Sequence, residues 1–345
     1  MRKSMLLGSG LAACVLALAP VAFAQGGYTP PKTSWGAPDL QGYWTNSSIT
    51  KMTRPGGIDT LVITPEQAKK LEDGDYNNIR TAAEKAPTNQ TEGAPEKGKP
   101  LPPVGNYNAV WVDPGAHVAV INGELRSSWI TEPANGKIPY KPGKGSARYE
   151  APPTPAGTPP PAVSQAERSY EGPESRSVGE RCIVGFGNTG GPVMNNVLYN
   201  NTYQIVQTPG AVMIDVEMMH DARVIRIGET QKPEALKQWL GDSTGRWDGD
   251  TLVVVTKNWN RWHGDYEPVF LSEKATVTER FTRTGKDEIT YQFEIDDPGF
   301  YSQPWKGEMV FTPSNGPVYE YACHEGNYAL EHILQGARVR DAKAK

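Results

Sequence analysis

The chain predicts a mainly β protein: a curved antiparallel sheet, or a barrel closed from one, with long irregular N-terminal decoration. Three observations carry that expectation. Short segments rich in Val, Ile, Thr and aromatic residues recur from residue 109 to residue 321, and several alternate with period two. Helical periodicity is too sparse to supply the helices of alternating strand–helix units. Finally, 30 Pro and 36 Gly provide turns for many short strands. A two-sheet sandwich is the competing arrangement of the same strands.

The elements follow in order. Met1, Arg2 and Lys3 open a basic stretch, residues 5–20 are apolar, and Ala22, Phe23 and Ala24 form a small-x-small boundary. That is the pattern of a secretory signal peptide over residues 1–24, with the mature chain starting at Gln25 in the periplasm or outside the cell. The apolar run is too short for a membrane anchor, and no later stretch is long and apolar enough to span a bilayer. Leu11, Ala12, Ala13 and Cys14 form a lipoprotein-like box and give the alternative, a lipid-modified Cys14. The apolar sequence beyond Cys14 argues for the later cut. Loss of Arg2 and Lys3 takes the net charge from -4 to -6. An acidic chain lacks the basic field that neutralises phosphates, so nucleic acid is not an expected partner.

Residues 25–105 read as a wrapping segment pinned by Trp35, Leu40, Tyr43 and Trp44. Within it, Thr64 as N-cap, Pro65 at N1 and Gln67 at N3 predict a capped helix that stops near Gly74. Residues 106–345 read as the β-rich main body, with a Pro-rich excursion at 139–173 that favours polyproline II. Strands are expected at 109–112, 118–121, 203–206, 212–216, 223–227, 252–255, 275–281, 289–295, 308–311 and 318–321. Residues 275–296 form one hairpin, and a second turns at Pro209 and Gly210. Pro233 to Trp239 reads as one or two helical turns. Trp247, Gly249 and Asp250 shape a turn that feeds the next strand. Cys182 and Cys323 survive signal-peptide removal, and in an oxidising compartment such a pair is expected to form a disulfide.

Three blocks and an N-terminal motif resemble a family of secreted bacterial proteins without an assigned function. They are Arg181-Cys182, the stretch from His220 through Ser243, the stretch from Glu320 through Tyr328, and Pro38 through Trp44. The resemblance covers nearly the whole mature chain and implies export and a shared body, with no reaction attached. The region around Trp247 and Gly249 is similar, more weakly, to calycin-type ligand-binding barrels.

Chemistry centres on histidine, of which there are five. Extension of the strand from Val212 would put His220 at the end of an apolar face, and extension of the last strand would put His324 on a face with Glu320. Imidazole suits acid–base work because its pKa lies near neutrality. The main functional expectation is therefore a secreted small-molecule enzyme performing hydrolysis or a non-redox elimination or isomerisation. His220 and His324 would be catalytic, Glu320 or Glu325 would orient an imidazole, and Arg223 would bind an anionic group. The alternative is a noncatalytic binding protein for a small aromatic or glycosidic ligand, with Trp259, Trp262, His263, Tyr321 and Tyr328 around the site. A structural envelope protein is the third reading. No cofactor is expected, since the dinucleotide fingerprint and the Walker A pattern are absent. No metal is assigned, because the histidine spacing lacks an i,i+4 pair; a site from His220, His324 and Glu320 would need tertiary convergence.

Overall fold

The computed structural model describes residues 28–85, 113–144, 170, 172–173, 176–185, 187, 189–260 and 269–343. The signal-peptide stretch, the expected strand at 109–112, most of the Pro-rich excursion, and Trp262 and His263 lie outside the described residues.

Nine strands close into a barrel. They are β1 (Gly42–Thr45), β5 (Thr202–Gln207), β6 (Ala211–Val216), β7 (Asp221–Ile227), β8 (Asp242–Asp248), β9 (Thr251–Lys257), β10 (Thr276–Gly285), β11 (Glu288–Asp296) and β12 (Trp305–Pro313). Each pairs with the next in that order, and β12 pairs back to β1 through Trp44↔Pro313 and Thr45↔Thr312. Three short strands, β2 (Val120–Ile121), β3 (Glu124–Leu125) and β4 (Ile130–Glu132), precede β5; β4 joins β12 through Lys306↔Glu132 and Gly307↔Ile130. The closure decides the barrel over the sandwich. It also makes the N-terminal segment more than decoration, because β1 is the strand that shuts the cylinder.

Alternation sets the interior. Val277, Phe281, Tyr291, Phe293, Ile295, Met309 and Phe311 point inward and are buried. Their rings pack against one another: Phe281 and Tyr291 are 4.9 Å apart at their centroids, Tyr203 and Phe311 5.3 Å, Phe293 and Trp305 5.6 Å. Gly307 makes room for this packing. A Cβ there would collide with the Phe293 ring and lie 2.9 Å from the Trp129 carbonyl oxygen. Met194 is also buried and joins the core, its N–H reaching the Tyr291 hydroxyl at 3.3 Å.

All barrel pairings are antiparallel except one. β7 and β8 run parallel, and only Ile225↔Ser243, Arg226↔Thr244 and Ile227↔Gly245 pair. Parallel neighbours need a crossover connection, here residues 228–241. β8 is a strand where the sequence suggested only a turn, and residues 233–239 hold turns rather than helix. The turn sits one step later, at Gly249 and Asp250.

Among the described residues three α-helices lie outside the barrel. α1 (Pro65–Gly74) begins as expected: the Thr64 hydroxyl accepts the Gln67 N–H at 3.3 Å and the Gln67 side chain accepts the Thr64 N–H at 3.0 Å. α2 (Tyr76–Lys85) and α3 (Tyr328–Lys343) were not anticipated. α3 is exposed along most of its length, and its apolar periodicity is faint. Of the four expected N-terminal anchors, Leu40 and Trp44 are buried, whereas Trp35 and Tyr43 are exposed. Cys182 and Cys323 form a disulfide, with Cα atoms 5.8 Å apart. Among the described residues no helix is long and apolar enough to cross a membrane.

Candidate functional site

Two local expectations about the histidines do not hold. β6 ends at Val216, and a turn over Met218–His220 follows, with Met219 and His220 at φ +66° and +52°. His220 is therefore exposed at a strand connection and does not end an inward face. Residues 318–321 form no strand, so Glu320 and His324 share no strand face; both are exposed, as is Glu325.

That last segment is held by side chains instead of a ladder. His220 Nε2 accepts the Tyr321 N–H at 2.8 Å, and Glu217 Oε1 accepts the Tyr319 N–H at 3.3 Å. The same Glu217 carboxylate takes the Thr202 N–H at 3.1 Å. One turn thus offers two acceptors to alternate amides, and the disulfide ties the segment down two residues further on. His220 accepts through an unprotonated Nε2, a structural task. Among the described residues no hydrogen bond or ion pair joins His220 to His324, Glu320 or Glu325. Nor is any group of three His, Cys, Asp or Glu disposed to hold a metal ion among them.

The aromatic candidates separate in the same way. Trp259 is fully buried and donates its indole N–H to the Ala275 carbonyl at 3.0 Å, which makes it a core residue and not a rim one. Tyr328 is exposed at the start of α3. Tyr321 is half-buried, and its phenol is pushed up to about 12 by burial and then by the neighbouring Tyr199.

Arg223 is positioned by β7, whose inward face also carries Ile225. Its guanidinium is 2% exposed inside the barrel. Nη1 donates to Glu279 Oε1 at 2.9 Å, Nη2 to Glu279 Oε2 and to Thr256 Oγ1 at 3.1 Å, and Nε to Ser243 Oγ at 3.2 Å. Tyr291 adds a bond to Glu279 Oε1 at 2.8 Å. Such saturation is what makes a buried ion pair tolerable. The arginine charge is spent on Glu279. Sequence reading missed this partner, although a signal existed: Glu279 sits between Val277 and Phe281 on an otherwise apolar face.

Asp221, next to His220, also points inward at the barrel mouth. Its Oδ2 accepts the Gly185 N–H at 3.0 Å. Burial raises its pKa to about 6; the Gly185 bond opposes this and the Asp215 charge adds to it. The sign follows from the ordinary value of 3.8. A raised folded-state pKa contributes stability that is complete below the unfolded value and lost as pH rises through the folded one. The gap is worth about 3 kcal/mol at most. Asp221→Asn keeps an acceptor for Gly185 and loses the charge. It should be more stable than the wild type by about 1–3 kcal/mol at pH 8, a gain that vanishes below pH 4. Urea melts at the two pH values check this; a gain that does not change with pH would reject it.

A cleft of 550 Å³ opens in the barrel wall where β7 and β8 part. Arg223 and Ser243 reach it from the interior side, Ala222 and Val224 from β7, and Trp239 and Leu240 from the crossover. Gly241 bends the crossover into β8 at φ +70°, close enough that a Cβ would lie 2.6 Å from Thr256 Cγ2. Arg226, Lys232, Lys237 and Asp242 bring charge. Burial pushes the Asp242 carboxyl up, but bonds from Arg226 and from the Lys232 N–H outweigh it and hold the group below the usual range. The volume lies within the range of small-molecule sites. No sequence pattern marked this cleft, since its walls meet only through the parallel pairing.

Neither a family model nor a curated protein matches the chain. Among solved structures the chain is similar to the crystal structure of a point mutant of the fluorescent protein UnaG, at 14% identity and a TM-score of 0.21, over 33% of this chain and 72% of that one. At that level the barrel rests on its own strand pairing, and the likeness to secreted bacterial proteins rests on the sequence blocks alone.

Proposed function

We propose that this protein is a noncatalytic binding protein for a small aromatic or glycosidic ligand, exported from the cytoplasm and stabilised by its disulfide. The observation that carries the reading is the cleft between β7 and β8, which sets the Trp239 indole and Leu240 beside a cluster of polar groups. Flat apolar rings and sugar faces both stack on indole, and a few placed polar groups fix orientation. An aromatic-lined, densely packed barrel behind the cleft gives it a stiff floor. The acid–base reading lacks comparable support: His220 is engaged with a backbone amide and His324 is exposed.

A panel of simple aromatics and phenyl glycosides, screened by thermal shift and isothermal calorimetry, tests the proposal. Binding should raise the melting temperature and fall roughly tenfold or more in Trp239→Ala. The same panel is followed for chemical change with wild type, His220→Ala and His324→Ala. Turnover lost in either histidine variant would replace binding with catalysis. No binding across the panel would sink the reading.

A further inference from the structure

Resting on that reading, we infer that the cleft takes an aromatic carboxylate, its ring on Trp239 and its anionic end between Lys232, Lys237 and the backbone of β7. Four cationic side chains line the cleft against one carboxylate, Asp242. Their partners show which charges are already used. Arg223 is bound to Glu279 inside the barrel. Arg226 donates to Asp242 Oδ1 at 2.8 Å and to Glu229 at 2.7 Å. Asp242 also accepts the Lys232 N–H at 2.7 Å, so its oxygens are occupied. The two lysines are less committed. Among the described residues the ion-pair partner of Lys237 is Glu234, at 3.6 Å, and that carboxylate is 86% exposed and screened by water. The Lys232 ammonium forms no close ion pair among the described residues, although its charge helps hold the Asp242 carboxyl down.

The backbone supplies a second set of donors. Ile227 donates its N–H to the Gly210 carbonyl at 2.9 Å, toward β6. Antiparallel pairing alternates, so Ile225 and Arg223 also face β6, while Arg226, Val224 and Ala222 face the β8 side. β8 meets β7 only from Ile225 onward. Among the described residues no strand meets the N–H groups of Val224 and Ala222, which lie on the cleft side, and both residues are exposed. Two lysines and two amide donors in one cleft with Trp239 and Leu240 match an acid carried on a ring.

The test uses 2-naphthoate and its neutral counterpart 2-naphthylmethanol, titrated into the full mature protein and followed by tryptophan fluorescence and by amide shifts of Ala222 and Val224. Naphthoate should bind tighter, move both amides and weaken with added salt. Lys232→Gln/Lys237→Gln, at solvent-accessible positions, should lower naphthoate affinity roughly tenfold and leave the alcohol unchanged. Equal binding of acid and alcohol would overturn the inference while leaving the small-molecule reading in place. Naphthoate binding that ignores both lysines, or that leaves the β7 amides unmoved, would overturn it as well. Failure of both probes in a protein that binds phenyl glycosides would remove the acid and keep the binder; failure of the entire panel would remove both.

Discussion

Glu279→Gln is expected to destabilise the protein by about 3–5 kcal/mol, because it leaves the Arg223 guanidinium charged and without a counter-ion inside the barrel. Glu279 is 0% exposed, and its carboxylate accepts from Arg223 and from Tyr291. The Arg223 side chain is only 2% exposed, so little water solvates what the substitution uncovers. Arg223→Met should cost a similar amount for the opposite reason, an uncompensated carboxylate. The double variant Arg223→Met/Glu279→Leu should recover much of the loss, since apolar groups of similar volume need no desolvation. Urea denaturation of the wild type, Arg223→Met, Glu279→Leu and the double variant gives the coupling energy. A Glu279→Gln protein within about 1 kcal/mol of the wild type would show that the pair is not buried as described. Tyr291→Phe removes the bond to Glu279 and the acceptor of the Met194 N–H, and should cost about 1–3 kcal/mol.

Loss of the Cys182–Cys323 bond should lower stability by about 2–5 kcal/mol, toward the upper end because the bridge spans 141 residues. Chain-entropy arguments make the effect grow slowly with loop length, and this loop encloses most of the barrel. Cys182→Ser/Cys323→Ser, compared with the oxidised wild type in urea, measures it. The double variant should also loosen residues 319–323, whose backbone amides at Tyr319 and Tyr321 are held by the Glu217 and His220 side chains. Hydrogen exchange at Tyr319 and Tyr321 would report that loosening. Unchanged stability and unchanged protection would reject the bridge as a structural element.

Much of the barrel was legible from local pattern. β10 and β11 alternate with period two because one face meets the core and the other meets solvent, and that alternation is written residue by residue. The Thr64 cap was equally plain, since all of its partners lie within four residues. Residues 318–321 show where the rule fails. They alternate like a strand, yet the segment is held by His220 and Glu217 from another part of the chain, so side-chain acceptors stand where a neighbouring strand would be. β8 failed in the opposite direction. Its Asp, Ser, Thr and Gly look like a turn, but pairing with Val253, Val254 and Val255 on β9 extends them.

The functional residues divide along the same line. By itself the sequence determined the strand-rich class, the capped α1 helix, both hairpins and an even cysteine pair, because each depends on short-range geometry or on a simple count. Only the tertiary structure decided that β12 closes on β1, that Arg223 meets a glutamate 56 residues away, and that β7 and β8 part to leave a cleft. It also decided that His220 accepts the Tyr321 N–H at a strand connection. Period and propensity say which way a side chain faces; what it faces is set by strand order, and strand order is fixed by long-range pairing and core packing that no local window contains.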